Sequence, residues 1–205
     1  MVLHAEPDAL HARLRGRPHV RGTRSMSTSN GAVRLVPADL AAHRPALLEL
    51  NVEYLTWIEQ VSEERFGLRL RDLLGADVRT YTEGSLDAMV SAAQRHGAYY
   101  LVEVAGTHVG MGALRRFADG VAEVKRMYVR PEQRGRRLGA TLLTQLVQDA
   151  RSLGYDSLRL DTGPFMGAAH RTYEAAGFVD RDPYEGAEVP KELWPHWRFM
   201  ELALR

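Results

Sequence analysis

The chain has 205 residues, 45% of them apolar and 26% charged, with a formal net charge of +1. That balance suits a single domain with a sizeable core and gives no general electrostatic pull toward nucleic acid or membrane, so any basic patch must be local. There is no cysteine, which excludes disulfides, thiol nucleophiles and thiolate metal sites and fits a reducing cytoplasm.

Residues 1–31 read as a disordered N-terminal tail, with one domain expected over 32–205. Met1 to Gly31 has no apolar signal-peptide core and carries Arg13, Arg15, Arg17, Arg21 and Arg24 against Glu6 and Asp8, and Ser25 to Gly31 has linker composition. Val33 to Val36 spells a short strand. Pro37-Ala38-Asp39 turns it into a helix with Pro45 in the first turn, along which Leu47, Asn51, Tyr54, Leu55, Ile58 and Val61 recur at helical spacing. Tyr54 and Trp57 fall near its middle, either as core aromatics or as walls of a substrate site. Phe66 to Tyr81 reads as short helix and loop, and a second helix runs from Leu86 to Arg95 behind the cap Ser85. Tyr99 to Val104, Val109 to Phe117 and Val121 to Val129, joined at Ala105-Gly106-Thr107 and Asp119-Gly120, make an antiparallel meander.

The meander runs directly into Arg130-Pro131-Glu132-Gln133-Arg134-Gly135-Arg136-Arg137-Leu138-Gly139-Ala140, a basic loop that leads into a helix. A helix start exposes unpaired backbone N–H groups and a positive dipole end, and glycines let an anion approach the backbone closely. With Arg130, Arg134, Arg136 and Arg137 as cationic forks, the order reads as a pyrophosphate cradle; on composition alone the same arginines would be a solvated face. Leu138, Leu142, Leu146, Val147 and Ala150 form the helix's apolar face, ended by Gly154. A buried strand at Ser157 to Asp161 then requires a right-handed crossover, with Val124 to Val129 parallel to Leu158 to Leu160. Ala168 to Ala176 is a helix closed by Gly177, and the strands Phe178 to Tyr184 and Arg198 to Leu204 flank a Pro190 to Pro195 loop. The class is α/β: a mixed antiparallel and parallel sheet with helices on both faces.

The strand, loop and helix resemble motif A of the GNAT acetyltransferase superfamily, with Arg134, Leu138 and Gly139 on the pattern and Arg137 where a middle glycine is usual. His170-Arg171-Thr172-Tyr173-Glu174-Ala175-Ala176-Gly177-Phe178 resembles motif B, with Thr172 in the usual leucine place. The resemblance spans nearly all of Val33 to Leu204. It implies acetyl-CoA as acyl donor, held by Met127, Tyr128, Val129, Arg134, Gly135, Arg136, Arg137, Leu138, Gly139 and Ala140, with the Val129 N–H toward the thioester oxygen. It implies Tyr173 as general acid and Glu123 as the base, often through water; the alternative for Glu123 is a strand-end carboxylate paired with Lys125 or Arg126. Tyr54, Trp57, Arg115, Asp161, Phe165 and His170 are candidates for the acceptor side. Met166 stands where the family often has a cofactor-binding asparagine, and a thioether cannot donate that bond.

The expected activity is N-acetyl transfer to a small-molecule primary amine, with no metal, nucleic-acid or membrane partner and with a homodimer compatible. A different class remains beside it, a catalytically silent acyl-CoA-binding regulatory module. Other enzyme signatures are missing. The chain has no G-x-S-x-G elbow and no H-E-x-x-H, and Gly135 to Thr141 lacks the Walker lysine.

Overall fold

A computed structural model of the chain describes residues 25–28 and 31–205. Its strands are β1 (Ser25–Thr28), β2 (Gly31–Pro37), β3 (Ala98–Val104), β4 (Thr107–Ala118), β5 (Val121–Val129), β6 (Ser157–Thr162), β7 (Val179–Arg181) and β8 (Arg198–Ala203). Its helices are α1 (Leu40–Phe66), α2 (Leu70–Leu74), α3 (Val78–His96), α4 (Leu138–Ser152) and α5 (Gly167–Ala175), and 3₁₀ turns cover Pro131–Gln133 and Lys191–His196. The strands form one sheet in the order β1-β2-β3-β4-β5-β6-β8-β7. Only β5 and β6 pair in parallel; the other neighbours are antiparallel.

Both faces of the sheet are covered because the central strands are apolar on both sides. In β3, Ala98, Tyr100, Val102 and Val104 pack with Leu142, Leu143 and Leu146 of α4. Their neighbours Tyr99 and Leu101 pack with Leu47 and Leu50 of α1 and with Leu86 and Val90 of α3. Gly112 lets α4 come close to β4, since a Cβ there would stand 2.7 Å from Leu142 and 2.8 Å from the Met127 sulfur. A third apolar cluster, Tyr184, Val189, Leu193 and Phe199, ties the loop before β8 to the sheet.

Four expectations change. Ser25 to Thr28, expected as linker, pairs with β2 as an edge strand, Ser25 opposite Arg34 and Thr28 opposite Gly31; residues 1–24 and 29–30 of the expected tail lie outside the described residues. The second long helix starts at Val78 rather than behind Ser85. Its cap is Asp77, which accepts from the Thr80 backbone N–H at 3.0 Å and the Thr80 hydroxyl at 2.8 Å, while Ser85 lies inside the helix and donates to the Tyr81 carbonyl. Pro45 sits inside α1 beyond its first turn, with Asp39 as the cap. The parallel pairing falls on Val121, Ala122 and Glu123 opposite Ser157, Leu158 and Arg159, not on Val124 to Val129.

Candidate active site

That shift in pairing creates the site. Beyond Glu123 the two parallel strands diverge, and the β6-facing edge of β5 from Lys125 to Val129 has no strand partner among the described residues. A bulge sharpens the divergence: between the pairs Ala113↔Lys125 and Met111↔Tyr128, Gly112 on β4 faces both Arg126 and Met127 on β5. Arg126 takes φ +56 there, a left-handed conformation that costs a non-glycine residue about 1–2 kcal/mol. Bulges bend a strand and re-aim its side chains.

A cavity of about 400 Å³ opens on the α4 side of the divergence. Its floor is Met127, Tyr128 and Val129, and its basic end is Arg134, Gly135, Arg137, Leu138, Gly139 and Ala140. Helix α4 starts without a side-chain cap and its first backbone bond is from Thr141 to Arg137, so the N–H groups of the opening turn have no helical partner. Gly135 has φ +79, and a Cβ on Gly135 or Gly139 would meet no protein atom within 4 Å. Arg137, with φ +58, takes the left-handed cap position. Tyr173, Trp57, Phe165 and Met166 close the opposite wall. Burial pushes the Tyr173 phenol well above its ordinary pKa, with Tyr54 and Asp161 adding to the shift.

A second cavity, about 370 Å³, lies across the divergence and shares the Met166 wall. Tyr54, Tyr81, Ser62, Thr162, Arg126, Asp161 and Glu188 are among its polar groups, and Leu55, Ile58, Leu68 and Leu193 among its apolar ones. Behind it runs a charged network. Lys125 Nζ is 2.7 Å from Asp161, and 3.6 Å from both Glu123 and Glu188. Burial alone would lower the Lys125 ammonium, but Asp161, Glu188 and Glu123 outweigh it and hold the pKa well above the usual lysine value. Burial likewise favours a neutral Glu188, and Lys125, Arg126 and Arg115 reverse the direction, keeping it ionised.

The family model for the acetyltransferase (GNAT) family matches residues 56–178. The chain belongs to the GNAT family. An uncharacterised N-acetyltransferase of Schizosaccharomyces pombe is 39% identical over 90 residues, 43% of this chain and 55% of that protein, and the chain spans about half the length of the curated relatives it matches. The fold is shared with the PaiA N-acetyltransferase of Thermoplasma acidophilum solved with coenzyme A, at TM-score 0.64 and 19% identity over 87% of this chain and 99% of that one. It is shared too with the Salmonella typhimurium acetyltransferase solved with its cofactor acetyl-CoA, at TM-score 0.59 and 24% identity over 86% and 95%.

The residues expected to hold the GNAT acyl donor line the first cavity with the exception of Arg136, and Arg130, expected as one more cationic fork of the cradle, also lies elsewhere. Arg136 is not in the cavity wall and bonds the Gln133 side chain. Arg130 is drawn away to α1, donating to Glu53 from Nε at 3.0 Å and from Nη2 at 2.7 Å. Trp57 and Phe165, expected toward the acceptor, meet edge to face at 5.4 Å in the wall of the first cavity, and the Arg134 guanidinium lies 5.6 Å over the Trp57 ring. Tyr54 and Asp161, expected toward the acceptor, line the second cavity.

Three others sit differently from the expectation. His170 reaches neither cavity; its Nε2 donates to the Gly163 carbonyl at 3.0 Å and fastens α5 to the loop before it. Glu123 is 0% exposed and lines neither cavity. Both its oxygens are engaged: Arg115 reaches Oε2 through Nε and Nη2 at 2.7 Å each, and the Tyr184 hydroxyl donates to Oε1 at 2.8 Å. Arg115 is thereby held behind the second cavity, facing a smaller adjoining one. Arg126, Glu188 and the Leu68 to Leu74 wall were missed. Only the strand position of Arg126 carried any signal, because Glu188 lies in a loop with no periodicity.

Among the described residues no group of His, Asp and Glu is arranged to hold a metal, and no helix is long and apolar enough to cross a membrane.

Proposed function

We propose that the chain is an acetyl-CoA-dependent N-acetyltransferase that moves the acetyl group directly to the primary amine of a small-molecule acceptor. The observation that carries this reading is the pair of cavities meeting at Met166 where β5 and β6 part, one basic and glycine-lined, the other holding carboxylates. The first fits the donor. The uncapped N–H groups of Leu138, Gly139 and Ala140, with Arg134 and Arg137, match a pyrophosphate, and space stands open where a Cβ on Gly139 would project. The bound thioester would supply an activated acyl carbon and a sulfur leaving group. The domain that does this takes in β1 and β2 as well as the later strands, and a cysteine-free chain is compatible with the cytoplasm as its place of work.

The chain's own groups divide the remaining work. The Val129 N–H, on the unpartnered edge of β5, donates to the acyl oxygen as negative charge develops there. Tyr173 holds a proton throughout the neutral range and gives it to sulfur as the carbon–sulfur bond breaks and the carbon–nitrogen bond forms. Asp161 accepts the proton that the amine nitrogen loses, its carboxylate in the acceptor wall and steadied by Lys125 at 2.7 Å. Exchange with solvent restores both groups. Glu123, with both oxygens engaged, acts as the anchor that positions Lys125 and Arg115.

The test is thiol release from acetyl-CoA across amino acids, polyamines, aminoglycosides and peptide N-termini, with the acetylated product confirmed by mass. Turnover of at least one amine is expected. Binding of CoA without turnover of any amine would instead support the silent acyl-CoA-binding module.

A further inference from the structure

Arg126 has no part in the transfer just described, yet it carries two costs. Its backbone is left-handed, and its side chain is only 10% exposed with Nε buried and without a hydrogen-bond partner. The Glu188 carboxylate stands 3.9 Å from Nη2, beyond hydrogen-bond range, and is shared with Lys125 and Arg115 at 3.6 and 3.5 Å. A buried guanidinium left short of partners is expensive, and its planar fork fits a carboxylate better than any other small anion except phosphate. Arg126 lines the acceptor cavity as well as the smaller adjoining one of about 170 Å³.

The charges around it favour a ligand that adds none. Arg115, Lys125 and Arg126 are met by Glu123, Asp161 and Glu188, so a ligand with net charge would leave a buried excess, whereas one bearing both a carboxylate and an amine would not. Much of the rest of the wall is apolar, with Leu55, Ile58, Leu68, Leu70 and Leu193, and the other polar groups there, Ser62, Tyr81 and Thr162, are neutral. A polyamine or an aminoglycoside would face that wall with unpaired cations.

We propose that Arg126 recognises a carboxylate on the acceptor, and that the acceptor is an amino acid with an apolar side chain. The proposal rests on the transferase reading for the identity of the acceptor. Asp161 then faces the amine, Arg126 the carboxylate, and the leucine wall the side chain.

The test separates the two readings. Calorimetry on the CoA-saturated protein, which has no acetyl group to transfer, compares L-leucine with L-leucinamide, which share side chain and amine and differ only at the carboxylate. The acid is expected to bind at least about tenfold tighter, as a charge-assisted bond to a buried fork implies. Arg126→Gln should bring the two within about twofold, and Arg126→Lys should keep part of the preference. Equal binding, no binding of either ligand, or a preference that survives in Arg126→Gln would overturn the proposal, and the wild-type comparison decides it even where the variant folds poorly. Thiol release is read separately: its absence with L-leucine while another amine turns over would overturn the amino-acid acceptor, and its absence with every amine counts against the transferase reading, while the acid–amide comparison still decides the carboxylate site.

Discussion

Replacing Tyr173 with phenylalanine removes one hydroxyl and almost nothing else. The side chain is 6% exposed and its ring lies 5.9 Å from Phe178, so the ring contacts survive and stability should change by about 1 kcal/mol or less. The catalytic consequence is larger. A general acid contributes typically about 10²- to 10⁴-fold, or roughly 2.7–5.4 kcal/mol at 1.36 kcal/mol per decade. The cavity is open to water, which can protonate a thiolate less efficiently, so the expected loss in kcat is at least about tenfold with little change in acetyl-CoA affinity. Burial raises the phenol pKa, so no alkaline fall in wild-type rate should arise from this group below pH 10. The assay is single-turnover thiol release with a saturating acceptor, which isolates chemistry from product release. A Tyr173→Phe protein with the wild-type single-turnover rate would refute the general-acid role and leave Tyr173 as a packed helix residue.

Gly139→Val puts a Cβ beside the α4 start where no protein atom lies within 4 Å, so the variant should fold while losing the rise in melting temperature that CoA gives the wild type; a retained ligand response would show that the anion site lies elsewhere. Gly97→Ala should destabilise by about 2–3 kcal/mol and lower Tm by roughly 4–12 °C, because its Cβ would stand 1.8 Å from the Leu114 carbonyl oxygen; an unchanged Tm would mean that the β3–β4 backbone yields freely. Burial pushes the Tyr99 phenol up to about 12 and raises Tyr54, Tyr173 and Tyr184 as well. Above pH 10 the unfolded chain therefore loses protons that the folded chain keeps, and stability, fully present below pH 10, falls as pH rises toward 12. Urea midpoints measured at pH 8, 10 and 11 should decline over the last interval; a constant midpoint would contradict the buried phenols.

The parts of the fold that were legible are those with local signatures. The meander and α4 followed from turn glycines and apolar periodicity, and the basic loop leading into α4 followed from a motif contiguous in sequence. Arg137 was legible even as a departure, since its left-handed φ at the cap explains why glycine is usual there. Ser85 misled because a serine before an apolar run resembles a cap, whereas Asp77 finds two donors on Thr80. Register was harder. Local pattern cannot tell which three residues of β5 meet β6, because the choice is made by the bulge at Arg126 and by side chains far apart in sequence. The fate of Glu123 turns on Tyr184, 61 positions away, and the acceptor wall draws Glu188 from an irregular loop, so neither could be read from spacing.

The three-residue seam between β5 and β6 has a further consequence, for how the molecule opens. Strands β1 to β5 on one side and β6 to β8 on the other are each stitched by longer antiparallel ladders, while the ladder between them covers Val121 to Glu123 alone, helped by the Asp156 and Ser157 N–H bonds to the Gly120 carbonyl, the Tyr184–Glu123 bond and the Lys125–Asp161 bridge. Sub-global fluctuations should part the sheet along this line, like a book at its spine, before either leaf melts. In native-state hydrogen exchange the amides around Leu158 and Ala122 would then share one opening free energy below that of the β3–β4 ladder. A ligand spanning both leaves would raise that opening energy at residues it never touches.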